Sequence, residues 1–181
     1  MAAEAFAATW IWSNSPCQVT VRSSHPGQDL LDIELYKHFA SKEDLALYLF
    51  ETSHRRLWTR CQSAVQSAAD FDGKLENYIG EVLALIDDHP GAMAFLSENA
   101  RLLWPKSAAA VRRQTMIALA RSLMSTAPRT GMKSGVHPDV AAASLQGTLA
   151  ELARMIQVGA VRGPAVNWKS ELVKLFRKIG S

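Results

Sequence analysis

The stretch ELYKHFASKEDLALYLFE, Glu34 to Glu51, sets a basic, aromatic pentapeptide directly against a strong helix start. Ser41-Lys42-Glu43-Asp44 has the S-x-x-D form of an N-cap. The Ser41 hydroxyl can accept an N–H that the first turn leaves unpaired, and two carboxylates sit at the positive end of the helix dipole. Leu45, Tyr48, Leu49, Thr52, Leu57, Trp58, Cys61 and Val65 then recur at helical spacing, which predicts one long helix ending near Ala69-Asp70-Phe71-Asp72-Gly73. Just before that cap, Tyr36, Lys37 and His38 read as the last turn of a preceding helix. Lys37 and Lys42 supply positive charge, Tyr36 and His38 supply directional donors, and the free N–H groups at Ser41 to Asp44 favour an anion, against the opposing charge of Glu43 and Asp44. Leu35 and Phe39 are expected to point inward, holding a small lobe on the long helix.

The rest of the chain reads as helices separated by breakers. A second helix carries Leu75, Tyr78, Ile79, Val82, Leu83 and Ile86 and stops at Asp88-His89-Pro90-Gly91. A third carries Met93, Leu96, Ala100 and Leu103, ending at Trp104-Pro105, and a fourth is predicted over residues 107–125. TAPRTGMKSGVH, residues 126–137, has no periodicity and reads as a loop. Pro138 suits the first turn of a fifth helix reaching about Val158. A last helix shows Trp168, Leu172, Leu175, Phe176 and Ile179 on one stripe. The expected fold class is all-α.

The fifth helix is apolar nearly all round: Val140, Ala141, Ala142, Ala143, Leu145, Leu149, Leu152, Met155 and Ile156. Such a helix needs cover on more than one side. Small residues at 141–143 and Gly147 permit close approach, so the last two helices are expected to pair with their equivalents in a homodimer.

Composition excludes several classes. Of 181 residues 48% are apolar, too many for a disordered chain, and no apolar run approaches the roughly 20 residues a membrane span needs. The opening MAAEAFAATWIW lacks a basic region and carries Glu4, a poor export signal. Cys17 and Cys61 are then expected to be reduced thiols of a cytoplasmic protein, and no membrane partner is expected. Charge is unevenly spread. Residues 70–98 hold seven acids against Lys74 alone, whereas residues 101–138 hold seven basic residues and no acid. The simplest expectation is two neighbouring helices complementing each other across a solvated surface; the alternative is a second nucleic-acid face at Arg112 and Arg113.

The junction LYKHFASKEDLALYLFE resembles the end of the recognition helix and the start of the fourth helix in TetR-family transcriptional regulators. Leu-Tyr-x-His-Phe followed by Ser-Lys-Glu-x-Leu carries the likeness. HPDVAAASLQGTLAELARMI and the closing ELVKLFRKIG resemble the family's dimerising pair, so the resemblance spans about Leu35 to Gly180. It implies an all-helical homodimer, an N-terminal helix-turn-helix on a double-stranded DNA operator, and a C-terminal lobe for a small apolar or amphipathic effector. It also implies that Tyr36, Lys37, His38 and Lys42 contact DNA phosphates, which positions the domain without reading sequence. The domains expected are 1–40, a degenerate DNA-binding region, and 41–181, a helical ligand-binding and dimerisation domain.

The resemblance breaks between Thr9 and Glu34. Trp10, Trp12, Pro16 and Pro26 occupy a region where the family has its first two helices and their turns, and Pro26 sits deep enough to disrupt the second. Thr9-Trp10-Ile11-Trp12-Ser13 must be encoded so that a frame one base later reads Gly, then Tyr, Phe or Ser, then Gly, close to the family's first turn. Residues 9 to about 30 therefore read as a frame-shifted segment, with genuine divergence as the alternative. Asp29, Asp32 and Glu34 also put negative charge where DNA should lie.

Catalytic patterns are missing. There is no G-x-S-x-G, P-loop or G-x-G-x-x-G, and His25, His38, His54, His89 and His137 have no partner at metal-ligand spacing. Neither an enzyme nor a cofactor or metal is expected. Asp87-Asp88-His89 reads as a helix end. Met and aromatic residues between residues 41 and 125 can fill a core or line an adaptable apolar cavity. Taken singly each reads as core; the family resemblance raises a cavity to an equal alternative, with Trp58, Tyr78, Met93, Phe95, Trp104 and Met116 as its candidate lining.

Overall fold

A computed structural model describes residues 39–127 and 136–180; the readings placed on residues 1–38 and 128–135 lie outside them. The described residues form helices and turns with no strand. Helix α1, Lys42–Gln66, starts where the cap predicts. Ser41 is extended, its Oγ accepts the Asp44 N–H at 3.1 Å, and its hydroxyl donates to Asp44 Oδ2 at 2.9 Å. Along α1 the buried positions are Leu45 and then Ala46, Phe50, His54, Leu57 and Cys61 at three- and four-residue steps, whereas Tyr48 and Thr52 of the expected set are exposed.

Helix α2, Phe71–Asp88, is capped by Asp70, whose Oδ1 accepts the Gly73 N–H at 2.7 Å. Eight of its residues are buried, including Tyr78, Ile79, Leu75 and Leu83 with no exposure. It is the central helix, packing on α1 and on most elements that follow. His89 alone separates it from α3, Pro90–Leu103, with Pro90 in the first turn where no N–H is needed. A 3-10 turn, Trp104–Lys106, follows α3.

The single helix predicted over residues 107–125 is two: α4, Ala109–Arg113, and α5, Met116–Ser125. Thr115 causes the break. Its hydroxyl accepts the Ala118 N–H at 3.0 Å, so it caps a new helix rather than continuing the old one.

Helix α6, Pro138–Gln157, ends in a Schellman motif. The Gly159 N–H donates to Ile156 O and the Ala160 N–H to Met155 O, with Gly159 at φ +74°, a conformation glycine adopts without strain. A 3-10 turn, Ala165–Trp168, leads into α7, Lys169–Gly180. Asp87 at the end of α2 holds this turn: its two carboxylate oxygens accept the Ala165 and Val166 N–H groups at 2.6 and 3.0 Å.

Two expectations need correction. Among the described residues, the acids of α2 find cations on α1 and α7. Arg60 of α1 pairs with Glu81 at 2.9 Å, while Lys169 and Arg177 on α7 reach Glu76 and Asp72 at 3.2 and 3.0 Å. Lys106 instead pairs with Glu43, and Arg121 with Asp139. Nor is α7's apolar stripe uniformly inward. Leu172, Val173 and Phe176 are buried, but Leu175 is 46% exposed, and Trp168 lies in the 3-10 turn, its indole N–H donating to Arg162 O. On α6, Ala141, Ala142, Leu145 and Leu149 are buried and Val140 and Ala143 are exposed.

Candidate functional site

Three regions of the fold carry the candidate residues. The first is the start of α1. Of the four phosphate-contact candidates, Tyr36, Lys37 and His38 lie outside the described residues, and Lys42 is exposed as the first residue of α1. Both acids of that turn are engaged, Asp44 with the Ser41 hydroxyl and Glu43 with Lys106. Their charge is therefore partly answered from within the chain, and the opposition to an anion beside Lys42 is weaker than the sequence alone implies. Phe39 packs against Tyr48 with ring centroids 5.3 Å apart and the rings tilted by 50°.

The second region is an aromatic cluster between α1 and the end of α3. Phe50 lies at its centre, meeting Phe95 and Trp104 edge to face at 6.4 and 6.3 Å. His54, one turn along α1, stacks on Phe50 and meets Trp104 at 4.9 Å. Only 7% of His54 is exposed, and its Nδ1 has no hydrogen-bond partner. Burial pushes the imidazole below its ordinary value, favouring the neutral ring.

The third region is a groove of about 250 Å³ between α3 and α6. Its apolar lining includes Ile86, Met93, Ala94 and Ile156. Glu98, Glu151, Arg154 and Gln157 supply its polar groups, and the Arg154 guanidinium grips Glu151 through two bonds of 2.9 and 2.5 Å.

The six candidate lining residues are thus dispersed. Phe95 and Trp104 share the aromatic cluster, whereas Met93 lines the groove. Tyr78 is fully buried in the core, where the Gln146 amide donates to its hydroxyl. Burial, then the neighbouring Cys61, raises the phenol's pKa against a smaller opposing effect of the Gln146 bond. Trp58 and Met116 are half-buried, on α1 and at the start of α5. Cys61 is a free thiol pushed up to about 12, chiefly by burial and next by Glu81, so it is an inert packing group.

Three polar residues emerge in roles that sequence reasoning did not assign: it read Asp87 only as part of a helix end and His54 only as lacking a partner at metal-ligand spacing. His54 had a readable signal, since it falls between Phe50 and Leu57 on the buried stripe of α1. Gln146 and Asp87 had none, because their partners lie 68 and 78 residues away. Among the described residues no three His, Cys, Asp or Glu side chains gather as metal ligands, and no helix is long and apolar enough to cross a membrane.

No family model matches the sequence, and no curated protein sequence does. Solved structures are similar at the level of the fold. A bacterial regulatory protein in the tetR family from Rhodococcus RHA1 aligns with a TM-score of 0.69 at 16% identity, over 85% of this chain and 83% of that one. The fatty acid degradation regulator FadR from Bacillus halodurans aligns with a TM-score of 0.58 at 19% identity, over 81% and 80% of the two chains. A capped long helix, a central α2, and a small-residue α6 followed by an amphipathic α7 give this chain the all-helical fold of those regulators.

Proposed function

We propose that this chain is a TetR-type DNA-binding transcriptional regulator, working as a ligand-responsive repressor in the cytoplasm. The observation that carries this reading is the start of α1. The Ser41 cap that completes the family-like junction motif opens the long helix of a fold shared with a tetR-family regulator. Tyr36, Lys37, His38 and Lys42 are its phosphate contacts. A small apolar or amphipathic effector in the C-terminal lobe, among Trp58, Tyr78, Met93, Phe95, Trp104 and Met116, favours a spacing of the two DNA lobes that no longer matches the operator half-sites. The effector acts by binding the two states unequally.

The dimer forms through α6 and α7. Val140 and Leu175 are 55% and 46% exposed on these helices, and a side chain added at Gly147 meets nothing within 4 Å inside the chain. Sedimentation velocity tests this: Leu175→Glu should convert the dimer to monomer, and an unaltered sedimentation coefficient refutes the interface.

The test of DNA binding is affinity for the DNA flanking the protein's own gene at two salt concentrations. A repressor shows tight, sequence-dependent binding with a steep salt slope. Lys37→Ala and Lys42→Ala should weaken binding on all sequences alike, and unchanged affinity in both removes them as phosphate contacts. A second reading is a helical effector-binding and dimerisation module whose DNA lobe no longer works. Pro26 and the acids Asp29, Asp32 and Glu34 favour it. It gives only weak, sequence-indifferent attraction to DNA in the same assay.

A further inference from the structure

We propose that His54 is a proton-responsive wedge: when its imidazole takes up a proton, the Trp104–Ala108 segment is prised from α1. The segment is strapped to α1 at three points. Lys106 pairs with Glu43, the Ala108 N–H donates to Glu51 Oε1 at 2.6 Å, and the Trp104 ring rests on His54 at 4.9 Å. The first two are surface contacts, whereas the third is buried beneath them. His54 lies 93% out of solvent between Phe50 and Trp104 with its Nδ1 unpaired.

A neutral ring tolerates that place as a flat apolar plate. A charged ring does not, because both nitrogens then carry hydrogens and, among the described residues, no carboxylate pairs with the ring. On α1, Glu51 is turned to the Ala108 amide, and Arg55 and Arg56 are exposed cations that offer the ring no counter-charge. On the 3-10 turn, Lys106 is engaged with Glu43. On α2, Glu81 is held by Arg60; on α3, Glu98 and Arg101 are exposed; on α4, so are Arg112 and Arg113; on α5, Arg121 pairs with Asp139. The imidazolium gains hydration only if the strap lifts, so protonation and opening are one event.

The wedge acts within the described residues and does not depend on DNA binding. Under the regulator reading it loosens the N-terminal half of the helix that carries the DNA lobe, which makes acidification an input alongside the effector.

The test uses the full chain labelled with 5-fluorotryptophan. Five indoles give fluorine resonances, and Trp104→Phe assigns the one that matters. Between about pH 8 and pH 5 the Trp104 resonance should titrate with a midpoint below the ordinary histidine value of about 6.5, its shifted form growing about tenfold per pH unit before the midpoint. The Trp168 resonance, in the 3-10 turn Ala165–Trp168 that Asp87 holds, should stay fixed. Both His54→Phe and His54→Gln should abolish the titration, and either variant suffices if the other fails to fold. A Trp104 resonance independent of pH overturns the proposal. So does a titration that persists without His54. A midpoint above about 6.5 also overturns it, because it means that the aromatic faces stabilise the cation and hold the strap closed.

Discussion

Replacing Asp87 by Ala tests how α7 is held on the rest of the molecule. In the native chain both oxygens of this carboxylate accept backbone N–H groups across a 78-residue separation in sequence, from Ala165 at 2.6 Å and Val166 at 3.0 Å. The two amides do not lose equally when the acceptor goes. Val166 is 46% exposed, so its N–H can turn to water at a cost of about 1 kcal/mol. Ala165 has no exposure, and its N–H is left buried and unpaired, which costs about 1–3 kcal/mol. The sum is about 2–4 kcal/mol, a fall in Tm of roughly 4–16 °C for a chain of this size. Asp87→Asn keeps one carbonyl acceptor and should lose about half as much. The neighbouring Asp88 is the control, since its carboxylate is 58% exposed and reaches only Arg60, at 3.9 Å. Asp88→Ala should stay within about 0.5 kcal/mol of the parent. Urea unfolding of the four proteins at one concentration, followed by circular dichroism at 222 nm, reads the differences. If Asp87→Ala unfolds at the same midpoint as Asp88→Ala, the carboxylate does not anchor the turn, and α7 is held by its apolar face alone.

Other expectations follow from the same reasoning. Ser41→Ala removes the α1 cap and should cost about 0.5–2 kcal/mol, read by thermal melting, with the loss concentrated in amide exchange of the first turn. Gln146→Leu strands the buried Tyr78 hydroxyl and should cost about 1–3 kcal/mol, whereas Gln146→Leu combined with Tyr78→Phe removes both partners and should recover most of it in urea melts. For pH, the His54 value is lowered in the folded chain, so the unfolded chain binds the proton more readily. The stability this residue contributes is fully present above about 6.5 and declines as pH falls from there towards the lower folded value, by at most about 1.4 kcal/mol per unit. Denaturant melts across that window should show the slope in the parent and not in His54→Gln.

Where the sequence was legible, the reason was locality. The Ser41 cap, the Asp88-His89-Pro90 stop and the Pro138 start are each decided within a turn of chain, and each marks a real boundary. The stripe of α1 was legible only in part: Leu45, Leu57 and Cys61 are buried as expected, but Tyr48 and Thr52 are exposed, and Phe50 and His54, which the expected set left out, are buried. Thr115 shows the limit of periodicity. Val111, Ala120 and Leu123 are all buried, so the apolar pattern runs through the break and only the hydroxyl's competition for the backbone reveals it. Charge misled for another reason. The acidic and basic blocks adjoin in sequence, but α2 is central, and its acids face α1 and α7 instead of the helices next in line. The candidate cavity residues shared a chemical type but not a location. Burial recruited Tyr78 into the core and Trp104 against His54. Nothing in their spacing distinguished those fates, because both depend on how α1, α2 and α3 cross.

The reciprocal pair between Ser41 and Asp44 finishes the first turn of α1 with groups drawn from the helix itself. The Asp44 N–H needs no acceptor from upstream, so that part of the helix start is closed by its own cap. A cap of that kind makes the order of the helix start independent of which residues stand ahead of Ser41. Under the reading in which the DNA lobe no longer works, this gives a physical reason for the order of the helical body that follows it.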